Sequence, residues 1–165
     1  MTIDTIFGKR FYLLIVLKLS TREIKYSDLT ENPTKEFVRQ RIIEVQDQDP
    51  GGKYLIHDNA LQFTSINYPA YGIEGVRTSV AAPNMNAYVE RVIGTIRREV
   101  LDHFLLISER QVRNIVSEYI EYYNRYRPHQ GIERIPSGRK STGDGKIVKL
   151  PILSGLHHNY YRSSA

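Results

Sequence analysis

Between positions 84 and 104 apolar residues recur at Met85, Val89, Val92, Ile93, Ile96, Val100 and Phe104. Steps of three and four stack on one side of a helix with 3.6 residues per turn, so the spacing predicts one long helix from Asn84 to Phe104 with that side facing a core. Glu90, Gly94, Arg97 and Leu101 form a second stripe along its border, where a side chain can point into a cleft. Asn84 or Asn86, after Pro83, suits the N-cap, which puts Glu90 in the first two turns. An isolated acid so placed is also what a solvated charge on an amphipathic helix looks like.

The same patterns order the rest of the chain. Thr2 to Ile6 reads as a short strand, followed by a turn at Phe7 to Arg10 containing Gly8 and a buried strand FYLLIVLKL. REIKYSDL alternates well enough to pair antiparallel with it after the turn residues Ser20 and Thr21. Asn32 and Pro33 open a helix whose Phe37, Val38, Ile42 and Val45 give helical spacing to about Gln46. After the breaker DPGG, Tyr54 to Ile56 predicts a strand that stops at His57 and Asp58. Asn59 to Tyr71 holds at most a short helix, and Val76 to Val80 reads as a fifth strand. Ser108 with Gln111 forms a capping box for a second amphipathic helix to about Arg125. That order implies an α/β fold with a mixed five-stranded sheet, its first three strands antiparallel, and helices on its faces. Residues 1–135 make the core, and 136–165 read as a linker and a tail of uncertain order.

A chain of 165 residues suits one domain. With no cysteine, disulfides, thiolate chemistry and Cys-ligated zinc are excluded, which leaves carboxylates and His as metal ligands. The longest apolar run, Phe11 to Leu19, falls far short of the roughly 20 residues that span a bilayer, so no membrane partner is expected. Net charge is +5, and it is uneven: residues 91–140 hold 10 Lys and Arg against 6 acids, whereas residues 1–90 hold 10 against 11. A basic surface beside the long helix suits a polyanion. YYNRYRPHQG at Tyr122 to Gly131 interleaves rings with Arg125, Arg127 and His129; such a strip either stacks against nucleic acid or completes the core with its tyrosines.

Asp58 after a strand and Glu90 on a helix reached by the next strand can converge in such a sheet, because ligands gather beyond strand ends. Hard oxygen donors suit Mg²⁺, and two-metal sites serve phosphoryl chemistry. HDNALQFTS at His57 to Ser65, APNMNAYVERVIGTIRREVLDH at Ala82 to His103 and SERQVRNIVSEYIEYYNRYRPHQGI at Ser108 to Ile132 together resemble the catalytic core of DDE-type transposases and retroviral-type integrases. The resemblance runs from the early strands through Ile132. It implies a ribonuclease H-like fold and a bacterial insertion-sequence transposase that cuts and joins DNA strands with Mg²⁺ or Mn²⁺, as two ions held by three acids. Asp58 matches the family's second acid, Glu90 its third, Arg97 a basic residue that contacts DNA, and Asn86 a polar position ahead of the Glu. Arg91, Arg98, Arg125 and Arg127 join Arg97 as the expected DNA-contacting bases. The implied partners are element-end and target DNA and further copies of the chain, and the implied location is the bacterial cytoplasm at the nucleoid.

The first acid of the family lies in an Asp-aromatic-aromatic-Thr pattern. Here Thr2 takes the Thr position, which puts the expected Asp upstream of Met1 and leaves Asp4 as the acid on this strand, facing the site only with a change of register. An N-terminally truncated core is therefore expected. The interval from Asp58 to Glu90 is also several residues shorter than is usual in the family. The competing readings are an inactive remnant that holds DNA only through its basic surface and a protein-interaction domain. His57 reads as a strand-end histidine or a residue tuning the site, and His129 as a helix-end contact.

Overall fold

The computed structural model describes residues 1–78, 87–129 and 144–163. Strands β1 (Thr2–Asp4), β2 (Arg10–Lys18) and β3 (Glu23–Thr30) form an antiparallel sheet in the order β1-β2-β3, as the alternation predicted. Phe11, Leu13 and Leu29 turn one face of it to the core. The β2–β3 register shifts between Val16 and Leu17, and this bulge returns Ile24 to the buried face although the alternation alone would send it outward.

Helix α1 (Lys35–Gln48) is capped by Thr34, whose side chain accepts from the Phe37 amide. It buries Val38 and Ile42 against Ile66, Tyr68 and Ile73. Strand β4 (Tyr54–His57) lies parallel to β5 (Glu74–Arg77), with Tyr54 opposite Glu74 and His57 opposite Arg77. Between them run a single helical turn, α2 (Leu61–Thr64), and a 3-10 turn at Tyr68–Tyr71. The fifth strand thus begins earlier than the Val76 predicted from hydrophobicity. Gly75 is what permits this, since a Cβ there would stand 2.2 Å from the Tyr68 ring. The five strands are hydrogen-bonded as a three-stranded and a two-stranded sheet rather than as one ladder among the described residues. Both β1, at three residues, and β4, at four, are too short to carry a long shared edge.

Helix α3 (Ala87–Glu99) buries Val92 and Ile96 of the stripe the periodicity marked, together with Thr95. Asn84, Asn86 and the expected helix start lie outside the described residues. At its other end α3 stops before the predicted Phe104: Val100 leaves the helical region and a 3-10 turn follows at Leu101–His103. The Arg98 and Glu99 carbonyls are met there by ring nitrogens, Nε2 of His103 at 3.0 Å and Nε2 of His157 at 2.9 Å, which satisfy acceptors a helix end leaves open. Helix α4 (Glu109–Arg125) begins as predicted, with the Ser108 hydroxyl accepting from the Gln111 amide. The Gln111 side chain takes the Ile107 amide, one residue earlier than a standard capping box. Its Val112, Ile115, Val116, Tyr119 and Tyr123 complete the main core with β1, β2, β3 and α3.

The tail, expected to be of uncertain order, instead forms an antiparallel hairpin of β6 (Ile147–Ile152) and β7 (His157–Arg162). Leu153 at its bend is buried, and its amide donates to Glu118 on α4 at 2.6 Å. The boundary at 135/136 falls outside the described residues.

Asn124 bridges α4 to β3, donating to the Ile24 carbonyl and accepting the Ile24 amide, both at 2.9 Å. Asn124→Ala leaves both half-buried backbone groups without this partner, and urea denaturation is expected to show a loss of about 1–3 kcal/mol.

Candidate active site and nucleic-acid face

Asp58 stands exposed where β4 ends, its Oδ1 accepting the Ala60 amide at 3.0 Å in an Asx turn. This leaves the second carboxylate oxygen open. Asn59 fixes the same corner by donating to the Thr78 carbonyl at 3.0 Å. His57 ends β4 as expected but is buried rather than partly exposed: it stacks on Phe63 and Tyr68 at 5.7 and 5.1 Å, and its Nδ1 meets the Asp58 carbonyl at 2.7 Å. Its ring therefore holds the backbone of the Asp58 corner. Burial pushes the neighbouring Tyr68 phenol up to about 12, and the Asp58 charge adds to that shift.

Met1 and Arg97 share this corner. The Met1 ammonium donates to the Leu13 carbonyl at 2.9 Å. Burial lowers its pKa, while Asp58 raises it and Arg97 lowers it. Arg97 donates to the Thr2 carbonyl at 3.1 Å. Glu90 lies seven residues earlier on the same stripe of α3, roughly 10 Å along the axis; it is exposed, and no ion pair engages it among the described residues. Two residues before it, Tyr88 lies under the Arg22 guanidinium at 3.4 Å, which pins the first turn of α3 to the β2–β3 turn. This stack was invisible to periodicity, because Arg22 reaches it only through its left-handed backbone, φ 61°.

Asp4 is the last residue of β1. Ile3 faces the core and Asp4 faces out, held by Arg10 at 2.7 and 3.2 Å. The Arg10 hydrogen bonds hold its carboxyl below the usual range. Among the described residues no three His, Asp or Glu side chains gather as a metal site.

The predicted bases divide into two groups. Arg91, Arg97 and Arg98 are exposed along α3 and form no ion pair among the described residues. Arg125 pairs with Glu121 at 3.3 Å on the surface of α4. Arg127 is instead half-buried and grips Glu99 at 2.9 and 2.6 Å, while the Tyr119 hydroxyl donates to the same carboxylate at 2.6 Å. Tyr123 is buried with His129 edge-on at 4.4 Å, and burial lowers the His129 pKa. The Tyr-Asn-x-x-Arg-Pro-His run is thus mostly architecture. Asn86 lies outside the described residues. No helix among them is long and apolar enough to cross a membrane.

An integrase core domain family matches residues 71–136, the segment that holds Glu90 and the α3–α4 pair. The "Putative transposase InsK for insertion sequence element IS150" of Escherichia coli K12 is 31% identical over 128 residues, 73% of this chain and 44% of that protein. The chain carries a DDE-type transposase/integrase catalytic core. Further insertion-element proteins match as well. An uncharacterized 39.2 kDa protein of IS476 from Xanthomonas euvesicatoria is 36% identical over 83 residues, 48% of this chain and 24% of that one. An uncharacterized 31 kDa protein of IS600 from Shigella sonnei is 28% identical over 131 residues, 75% of this chain and 48% of that one. The core spans between a quarter and a half of the length of these curated relatives. A chain of the simian T-cell lymphotropic virus intasome in complex with PP2A regulatory subunit B56 gamma superposes with a TM-score of 0.69 at 11% identity, over 99% of this chain and 64% of that one. That likeness and the mixed α/β content fit a ribonuclease H-like fold.

Burial raises the Glu99 pKa, and the Arg127 and Tyr119 hydrogen bonds lower it by more, so the carboxyl titrates below its ordinary value. A depressed acid stabilises the fold above its unfolded pKa and loses that contribution as pH falls through the folded one. Glu99→Gln is therefore expected to be less stable than the parent at pH 7, with the gap closing below about pH 4.5 in thermal melts run across pH.

Proposed function

We propose that this core cleaves and joins DNA strands at insertion-element ends, with Asp58 and Glu90 as ligands of a divalent ion. The single observation that carries the reading is that Asp58 stands exposed at the end of β4 and Glu90 stands exposed on the stripe of α3 whose Arg97 donates to the Thr2 carbonyl of β1. It is supported by insertion-element relatives that match about three quarters of the chain. A five-stranded sheet with β4 beside β1 belongs to the same reading, and the fold likeness to the intasome chain supports it.

The donor chemistry fits. Asp58 and Glu90 are exposed hard-oxygen ligands, and Asp58 keeps one oxygen clear of its Asx turn. Mg²⁺ or Mn²⁺, as one ion or two, would polarise the scissile phosphate and ease deprotonation of the attacking oxygen. The chain's own residues do the rest. His57 and Asn59 hold the Asp58 corner rigid, and the Arg22–Tyr88 stack holds the turn that bears Glu90. Arg97, with Arg91 and Arg98 beside it, lines up the phosphates. In cleavage a water oxygen attacks phosphorus and the bridging oxygen leaves; in joining a 3′ hydroxyl attacks and the target strand's 3′ oxygen leaves. Several copies acting together, in the bacterial cytoplasm at the nucleoid, complete the proposal, because two DNA ends must be held at once. A remnant that only binds DNA is the less favoured reading, since the residues matching the second and third acids are intact.

Nicking and joining of element-end DNA in Mg²⁺ or Mn²⁺ tests this. Asp58→Asn and Glu90→Gln are each expected to lower the rate at least a hundredfold while leaving DNA binding in place, as losing an ion ligand should. Asp4→Asn is expected to leave it within a fewfold, because Arg10 already occupies that carboxylate. A metal-dependent rate untouched by both Asp58→Asn and Glu90→Gln would overturn the assignment.

A further inference from the structure

The β6–β7 hairpin is anchored at one end only. At that end Leu153 is buried, the His157 ring stacks on Tyr122 at 4.8 Å and His157 Nε2 meets the Glu99 carbonyl. Toward Ile147 and Arg162 the ribbon is exposed. Directly opposed residues of an antiparallel pair share a face. One face therefore carries Ile147 beside Arg162, Lys149 beside Tyr160 and Pro151 beside His158. Tyr160 is 59% exposed, and its ring lies 6.2 Å from that of His158.

The charge on this ribbon is one-sided. From Gly145 to Ser163 the sequence holds Lys146, Lys149 and Arg162 and no acid, and none of the three forms an ion pair among the described residues. Arg162 donates only to the Gly145 carbonyl, at 3.2 Å. Six of the ten bases in residues 1–90, Lys9, Arg10, Lys18, Lys25, Arg39 and Arg41, are each paired with an acid, whereas Arg91, Arg97 and Arg98 on α3 and all three bases of this hairpin have no ion pair among the described residues. The hairpin and α3 meet, because β7 touches the last residue of α3. Glu90 lies nine residues before that contact, roughly 13 Å along the helix axis.

We propose that the Lys149, Tyr160 and Arg162 face of this ribbon grips the backbone of duplex DNA beyond the catalytic corner, extending the row of Arg91, Arg97 and Arg98. A two-stranded ribbon is the right width for a major groove, and cations set among exposed rings suit phosphates and the sugar edge rather than base reading. The inference rests on the DNA-processing role assigned above and adds the surface that holds the flanking duplex. The same face could otherwise pack on a second copy of the chain, and the experiment separates the two.

The test uses the full chain, a fluorescent element-end duplex and anisotropy at a series of salt concentrations. Lys149→Ala with Arg162→Ala is expected to lower the slope of log affinity against log salt by about 1.8, two phosphates' worth. It should weaken binding on the order of tenfold at low salt, with circular dichroism unchanged. Tyr160→Ala is expected to weaken binding with the slope kept. Lys53→Ala with Arg110→Ala, the same charge removed elsewhere, is expected to leave the slope as in the parent. A hairpin variant that matches the parent in slope and affinity overturns the inference even if nicking is normal. So does a parent that binds no duplex, or a Tyr160→Ala chain that changes oligomeric state by light scattering while its salt slope and affinity stay put. Hairpin-dependent binding without metal-dependent nicking leaves the inference standing and overturns the catalytic reading instead.

Discussion

Glu99 ties α4 and the C-terminal hairpin to the end of α3. Its carboxylate accepts from Arg127 twice and from Tyr119, while the carbonyl of the same residue accepts from His157. A half-buried acid left alone here would be costly, and the guanidinium and phenol answer that cost with charge-assisted bonds. Because α3 ends where these contacts form, they fix where the helix stops and hence the height at which Glu90 and Arg97 stand over β1. The same contacts raise the Tyr119 pKa, burial being the larger cause, so the phenol stays a donor at any physiological pH.

Around that point the molecule separates structural polarity from exposed polarity. Arg41 and Arg113 converge on Asp28 at 3.0 and 2.6 Å, tying α1 and α4 to β3. Asn124 does the same for Ile24 at the bulge. With those bases and acids matched to one another, the bases without ion pairs among the described residues include Arg91, Arg97 and Arg98 on α3 and Lys146, Lys149 and Arg162 of the hairpin, and the open carboxylates of the candidate site fall on Asp58 and Glu90. A surface organised this way presents positive charge to a polyanion without drawing on the groups that hold the fold.

The Asp58 corner shows how rigidity is obtained at an exposed acid. Asp58 is open to solvent, yet its turn is closed by the Ala60 amide, its backbone carbonyl meets the buried His57 ring, and Asn59 ties the neighbouring strand. His57 in turn stacks on Phe63 and Tyr68. A carboxylate that must hold an ion gains from such support, because reorganisation is removed before the ligand arrives.

Much of this was legible in the linear sequence, because helices and strands announce themselves through period and caps. The stripe on α3, the Ser108 cap, the antiparallel opening strands and the position of Asp58 at a strand end all follow from local spacing. The end of α3 does not, since no residue near Val100 breaks a helix and one of the two histidines that cap it lies 58 positions away. Nor does the assignment of Arg127 to Glu99 rather than to a polyanion, or of Asp4 to Arg10, because a charge reads the same in sequence whether it is paired or open. The tail looked formless because its order comes from docking Leu153 and His157 on α4 and α3. Periodicity is a property of neighbours in the chain, and partners across the fold are chosen only when packing brings them within reach.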